Sequence, residues 1–206
     1  MKKILIIIFF IFIHTLSNAD DIKDFEIEGI SLGDSLLDYF NKEKIESEKY
    51  NKSSLMYKNN EYVQIGASYK KSYQLNINSK TYDDLSIVLK TNDETYRIYS
   101  LGGRIFCKNI NICKTQKESI EEDLKKLFGE NVEIEYQNKN HSFDPTGNSK
   151  SYSTFFTFNK TNDYAFVAVY DWSTEIENKH NWTDSLKVTI VSEEFGDFLN
   201  NVQYKN

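Results

Sequence analysis

The chain has 206 residues and a formal net charge of −6, with 25 Lys and Arg against 31 Asp and Glu. That balance suits a soluble protein and argues against general binding to nucleic acid or to anionic membrane surfaces. Aromatic residues make up 15% of the chain beside a single proline, which points to an ordered, β-rich core rather than a disordered tail.

Residues 1–19 read as a secretory signal. Lys2 and Lys3 form a short basic start, Ile4 to Ile13 an apolar run, and Ser17-Asn18-Ala19 put small residues where a signal peptidase cuts. The run is too short to span a bilayer, so cleavage is expected, with no stable membrane insertion afterwards. No cysteine lies near the cut to carry a lipid anchor. Loss of Lys2 and Lys3 takes the net charge from −6 to −8. The expected location is the periplasm or the exterior, and residues 20–206 have the length of one domain.

The first stretch after the leader alternates Phe25 and Ile27 with Glu26 and Glu28, a short strand broken by Gly29. Ser31 then stands where a helix N-cap would, with Asp34 three residues on. Leu32, Leu36, Tyr39 and Phe40 fall on one helical face, so a first helix is predicted there, fading in the charged run from Asn41 to Lys49. Strand-like alternation follows at Val63–Ala67, Tyr73–Ile77, Leu85–Leu89 and Tyr96–Ser100. Thr91-Asn92-Asp93 makes a turn between two of these, and Gly102-Gly103 is expected to end or turn the next.

Thr115 and Glu118 form a capping box for a second helix, with Ile120, Leu124, Leu127 and Phe128 on its apolar face and Gly129 at its end. Glu118, Glu121, Glu122 and Asp123 are expected on its wet side. Strands resume at Val132–Tyr136, Tyr152–Phe158, Tyr164–Tyr170 and Leu186–Val191, and Phe195–Val202 reads as a short closing helix. Asn138–Lys150, which holds Pro145, reads as a loop. The predicted class is α+β, two helices packed on antiparallel sheet, because the short links leave no room for crossover helices. Lys90-Thr91-Asn92-Asp93 recurs as Lys160-Thr161-Asn162-Asp163, which suggests two helix-plus-strands halves, 25–113 and 114–206.

Cys107 and Cys113 are the two cysteines. In an exported chain a structural disulfide is the first reading, pinning the second helix to the strand before it. The alternatives are a redox pair, which usually has two residues between its cysteines, and half a metal site, for which no histidine lies nearby.

Gly33-Asp34-Ser35-Leu36 resembles the signature of the GDSL (SGNH) esterases and lipases. The resemblance implies Ser35 as nucleophile, with His180 to take its proton. The sequence departs from that family's other blocks. Asn92-Asp93 and Asn162-Asp163 lack the glycine two positions before, and Glu177 stands before His180 where the family has aspartate. A capped helix followed by antiparallel strands, chiefly Thr115 to Gly129, is similar to the SmpA/BamE and β-lactamase-inhibitor-protein group. That resemblance implies a non-enzymatic binding module. The whole chain, especially Phe25–Phe40, also resembles small secreted proteins of AT-rich bacteria, which implies no known activity.

Trp172 and Trp182 flank a polar segment, Ser173 to Asn181, with His180 inside it. Rings at such a rim can grip a ligand or partner, or simply cover the core. Trp172, His180 and Trp182 are the candidate binding rim, and this segment and Asn138–Lys150 are the places to look first. His141 and His180 read as solvated loop residues, no metal set is spelled out, and no phosphate loop, dinucleotide fingerprint or other cofactor motif is present. The expected function is an exported, non-enzymatic protein that binds an envelope or extracellular protein. The alternative is a GDSL-type ester hydrolase.

Overall fold

The computed structural model describes residues 21–67, 75, 77, 79 and 81–205. The leader and most of the strand expected at Tyr73–Ile77 lie outside the described residues. A hairpin of β1 (Glu26–Ile27) and β2 (Ile30–Ser31) precedes a single eight-stranded sheet. Its strands are β3 (Leu55–Met56), β4 (Tyr62–Ala67), β5 (Asp84–Lys90), β6 (Ile98–Phe106), β7 (Val132–Asn140), β8 (Lys150–Phe158), β9 (Tyr164–Asp171) and β10 (Ser185–Val191). Every neighbouring pair is antiparallel, in the order β3-β4-β5-β6-β10-β9-β8-β7. The class is therefore α+β on antiparallel sheet, as the short links require.

Four α-helices, not the two expected, occur among the described residues: α1 (Lys42–Lys49), α2 (Ile110–Phe128), α3 (Thr174–His180) and α4 (Glu193–Phe198), the last continuing through a π-turn at Leu199–Gln203. The first helix is displaced from its predicted place. Gly29 and Gly33 have φ of +76° and +87°, a left-handed backbone that bends the chain into a hairpin and a turn instead. Only a 3₁₀ turn, Leu36–Asp38, forms in that stretch, and the charged run after it becomes α1, capped by the Asn41 side chain. α1 buries one apolar residue, Ile45, and is held largely by polar contacts. Lys49 Nζ donates to Glu46 Oε1 at 3.0 Å and to the Thr91 carbonyl at 2.8 Å.

α2 starts five residues earlier than its predicted cap, with Asn109 capping through its side chain. The proposed boundary at 113/114 thus falls inside a helix. Leu124 and Phe128 face the sheet as expected, but so does Glu121. Its carboxylate pairs with Lys117 and accepts from the buried Thr154 hydroxyl, so this acid does not belong to the wet side. The recurrent Lys-Thr-Asn-Asp links β5 to β6 in one case and β8 to β9 in the other. Counted from the outer edges of the sheet these are different turns, so the tetrapeptide is no mark of a repeat.

Pairing register fixes which side chains share a face. Leu101, Ile87, Val188, Ile190 and Val167 lie on one face, in a core closed by Leu124 and Phe128 of α2 together with Leu36 and Ile45. On the other face α4 covers one end only, where Phe195 and Phe198 pack on Tyr62 and Tyr99. Gly102 and Gly103 lie inside β6, not at its end. A Cβ on Gly103 would stand 2.5 Å from the Tyr82 ring, and one on Gly102 would stand 3.0 Å from Lys187 Cε and 2.8 Å from Thr189 Oγ1. Both glycines admit a neighbour's side chain flat against the strand.

Candidate binding cavity

The half of the second face not covered by α4 carries a cavity of about 700 Å³. Its lining draws on the two segments singled out in the sequence, which the fold brings together, and on Leu55 and Tyr204. β7 and β8 run further than expected, so the loop between them shrinks to residues 141–149. The polar segment 173–181 is mostly helix α3, capped by Ser173, whose Oγ accepts from Ile176 N–H at 3.4 Å.

Asp144 ties the two segments to each other. Its carboxylate accepts from the Ser149 hydroxyl at 2.6 Å, the Thr146 hydroxyl at 2.6 Å and the Ser173 hydroxyl at 2.9 Å. These bonds, Ser149 and Thr146 foremost, hold its carboxyl well below the usual range. On this frame the rings assemble. Trp172 and Trp182 have centroids 4.6 Å apart, Tyr170 stacks on Trp172 at 5.8 Å, and His141 meets Trp172 at 4.5 Å. Phe143 reaches Trp182 at 4.6 Å and His180 at 5.0 Å. His180 is therefore packed among rings and not simply solvated. Burial lowers the pKa of His141, with Asp144 opposing. Trp182, which lines the cavity, is 37% exposed, and Phe143, packed on its outer side, is 47% exposed. The Trp172 N–H donates to Asp184 Oδ1 at 2.7 Å, and the Asp184 carbonyl accepts from Cys107 N–H at 2.8 Å, so the rim is fastened to the end of β6.

The floor is cationic. Arg104 on β6 and Lys187 on β10 are directly opposite in the register, on the open face, and both line the cavity. Like charges in that relation repel. Arg104 has Asp84 on its far side, with Nε 3.9 Å from Oδ1. Its Nε is buried without a hydrogen-bond partner, as is the Thr189 hydroxyl of the same face. Lys187 makes no hydrogen bond or ion pair among the described residues, and its stem crosses Gly102. Burial first, and the Arg104 charge second, push its amine down to about 8, against a weaker pull from Asp84. At pH 7 it still carries its proton. Small neighbours, Ala168 beside Lys187 and Gly102 beside Thr189, keep the floor open. The arrangement can accept an anionic group with a flat apolar body behind it.

Of the three residues expected at a rim, Trp172 and Trp182 line the cavity, while His180 packs on Phe143 and Trp182 outside its lining. Arg104 and Lys187 are not marked by the sequence. Each sits at an outward position of a strand, where a charge is ordinary, and only the pairing register makes them adjacent.

The other candidate residues lie elsewhere. Ser35 caps the 3₁₀ turn, accepting from Leu37 N–H at 3.3 Å, and its hydroxyl donates to the Thr95 carbonyl at 2.7 Å. Asp34 accepts from the Tyr39 hydroxyl at 2.5 Å. Ser35 bridges Arg97, just before β6, whereas the His180 segment leads into Ser185, which pairs with Phe106 at the other end of that strand. The nine residues of β6 separate the two by about 30 Å. Cys107 and Cys113 form a disulfide with Cα atoms 5.9 Å apart, joining the end of β6 to the first turns of α2. No cluster of three or more metal-ligating side chains occurs among the described residues. No helix among them is long and apolar enough to cross a membrane. No known family model, curated protein or solved structure matches the chain.

Proposed function

We propose that this is an exported binding protein of the periplasm or exterior, acting without chemistry of its own, and that its ligand occupies the cavity on the open face of the sheet. The observation that carries the reading is the cavity itself: about 700 Å³, lined by Tyr170, Trp172, Trp182 and His141, with two cations opposite each other on its floor and Asp84 beside Arg104. Its volume is that of a small-molecule site. The disulfide fits an oxidising compartment. The loops of the rim are cross-tied through Asp144, so the site is formed in advance of the ligand, which lowers the ordering cost of binding. The ester-hydrolase alternative is not favoured by the separation of Ser35 from His180.

Both tryptophans bear on the cavity, so ligand entry is expected to change their fluorescence. A screen of small anionic, neutral and cationic aromatic compounds, read by tryptophan emission and by thermal shift, tests the reading. Hits that vanish in Trp172→Ala support it, and the absence of any hit overturns it. A protein partner of the envelope or exterior, the occupant expected from the sequence, is favoured by one observation, the exposure of Phe143 and Trp182. Capture of such a partner by the native chain and not by Trp182→Ala would identify it.

A further inference from the structure

We propose that the cavity is specific for a small organic anion, its charged head between Arg104 and Lys187 and its planar apolar body against Tyr170, Trp172 and Trp182. This assignment rests on the reading of the cavity as the binding site.

Four observations carry it. First, Arg104 and Lys187 are direct cross-strand neighbours on an open sheet face, and like charges so placed destabilise a sheet. The chain as a whole is acidic, at −6, so general surface charge does not account for two cations meeting here. Second, neither cation is fully satisfied. Arg104 is offered one carboxylate, Asp84, at 3.9 Å, and its Nε is buried without a hydrogen bond, while Lys187 makes no hydrogen bond or ion pair among the described residues and has only the weaker pull of the same Asp84. An anion placed between them removes the repulsion and completes their hydrogen bonding, and such charge-assisted contacts are the strong ones. Third, Gly102 leaves the strand surface bare where any larger residue would meet Lys187 Cε, so the lysine stem lies across β6 on the same face as Arg104. Fourth, the walls are rings. Trp172 stacks on Tyr170 with planes 8° apart and tilts against Trp182, which presents flat apolar surfaces beside the cations. An inorganic ion would use the floor and leave the walls empty. A neutral aromatic would use the walls and leave the cations repelling.

The test is calorimetric titration of the mature protein at pH 7 with 2-naphthoate, 2-naphthyl phosphate, naphthalene-2-carboxamide and inorganic phosphate. At least one naphthyl anion is expected to bind ten-fold or more tightly than the carboxamide. Which of the two anions binds better identifies the head group as carboxylate or phosphate. Arg104→Gln and Lys187→Gln are expected to bring the anion and the carboxamide to within about two-fold of each other, with the carboxamide itself unaffected. Trp172→Ala is expected to weaken the naphthyl anion and the carboxamide by the same factor. Equal binding of anion and carboxamide to the native protein would overturn the specificity and leave the cavity as a binding site. Inorganic phosphate binding as tightly as the naphthyl anions would overturn the role given to the walls. Binding of none of the four would overturn the anion assignment, and the broader aromatic screen then decides whether the cavity binds at all. Circular dichroism of each variant separates a lost site from a lost fold.

Discussion

A cation pair held for a ligand should weaken the empty protein, and Lys187→Gln measures by how much. The Lys187 amine falls from 10.5 to about 8 on folding. At about 1.4 kcal/mol per unit this corresponds to an upper bound of ~3 kcal/mol against the folded, protonated state. The side chain is half-buried, and solvent screening reduces the figure to about 1–2 kcal/mol. The sign follows from proton counting. Below pH 8 both states carry the proton and the whole penalty is present. Between pH 8 and 10.5 the folded state sheds the proton first, so the penalty fades as pH rises. The charges facing the amine are Arg104 from β6 and, beyond it, Asp84 from β5, and burial raises the Tyr170 hydroxyl on β9. Lys187→Gln is therefore expected to raise the melting temperature at pH 7 by about 2–8 °C, at 2–4 °C per kcal/mol for a chain of this length. The gain should shrink toward zero by pH 10. Calorimetric melting of both proteins at pH 7, 8.5 and 10 reads it. A lower melting temperature for the variant at pH 7, or a gain that does not change with pH, would refute the reasoning.

Three further outcomes are expected. Gly103→Ala drives a methyl into the Tyr82 ring and should cost about 1–3 kcal/mol by urea unfolding. In a Tyr82→Ala background the same substitution should cost little, and additive losses would show that the two do not meet. Reducing the Cys107–Cys113 bridge, which closes a short loop, should cost about 2 kcal/mol on the chain-entropy model and lower the melting temperature by about 4–8 °C; an unchanged melting curve would contradict this. Ser35→Ala removes the cap of the 3₁₀ turn and should cost about 1 kcal/mol while leaving hydrolysis of short acyl esters unaltered; ester hydrolysis by the native protein that is lost in the variant would restore the hydrolase alternative.

Strand positions were readable because alternation has a period of two and one face of the sheet is a dry core. β5 buries the alternate residues that the pattern marks, Leu85, Ile87 and Leu89, and β8, β9 and β10 cover the spans expected of them. The same rule misled at Gly102-Gly103, where glycine serves close approach of Tyr82 and Lys187 and not a turn. The first helix failed for a local reason. The apolar spacing of Leu32, Leu36 and Tyr39 is helical, but left-handed glycines at 29 and 33 dictate a hairpin. α1 then forms where only Ile45 marks a buried face, because its anchors are Lys49 and Glu46 rather than apolar residues. α3 forms where the sequence predicts a polar loop, because Ile176 is its one buried residue. At the site, aromatic residues announced the walls, since Trp172 and Trp182 are large and close in sequence. The floor depends on the 82 intervening residues folding so that Arg104 meets Lys187, and no local pattern encodes that register.

The most direct measurement of the central claim is the titration of the Lys187 amine itself, by NMR of the protein with labelled lysine, alone and with saturating 2-naphthoate or 2-naphthyl phosphate. The account predicts an amine that titrates near 8 in the free protein and well above that when the anion is bound, because a negative group beside it favours the proton. An amine that titrates at the ordinary lysine value, or one that does not move when the anion binds, would contradict it.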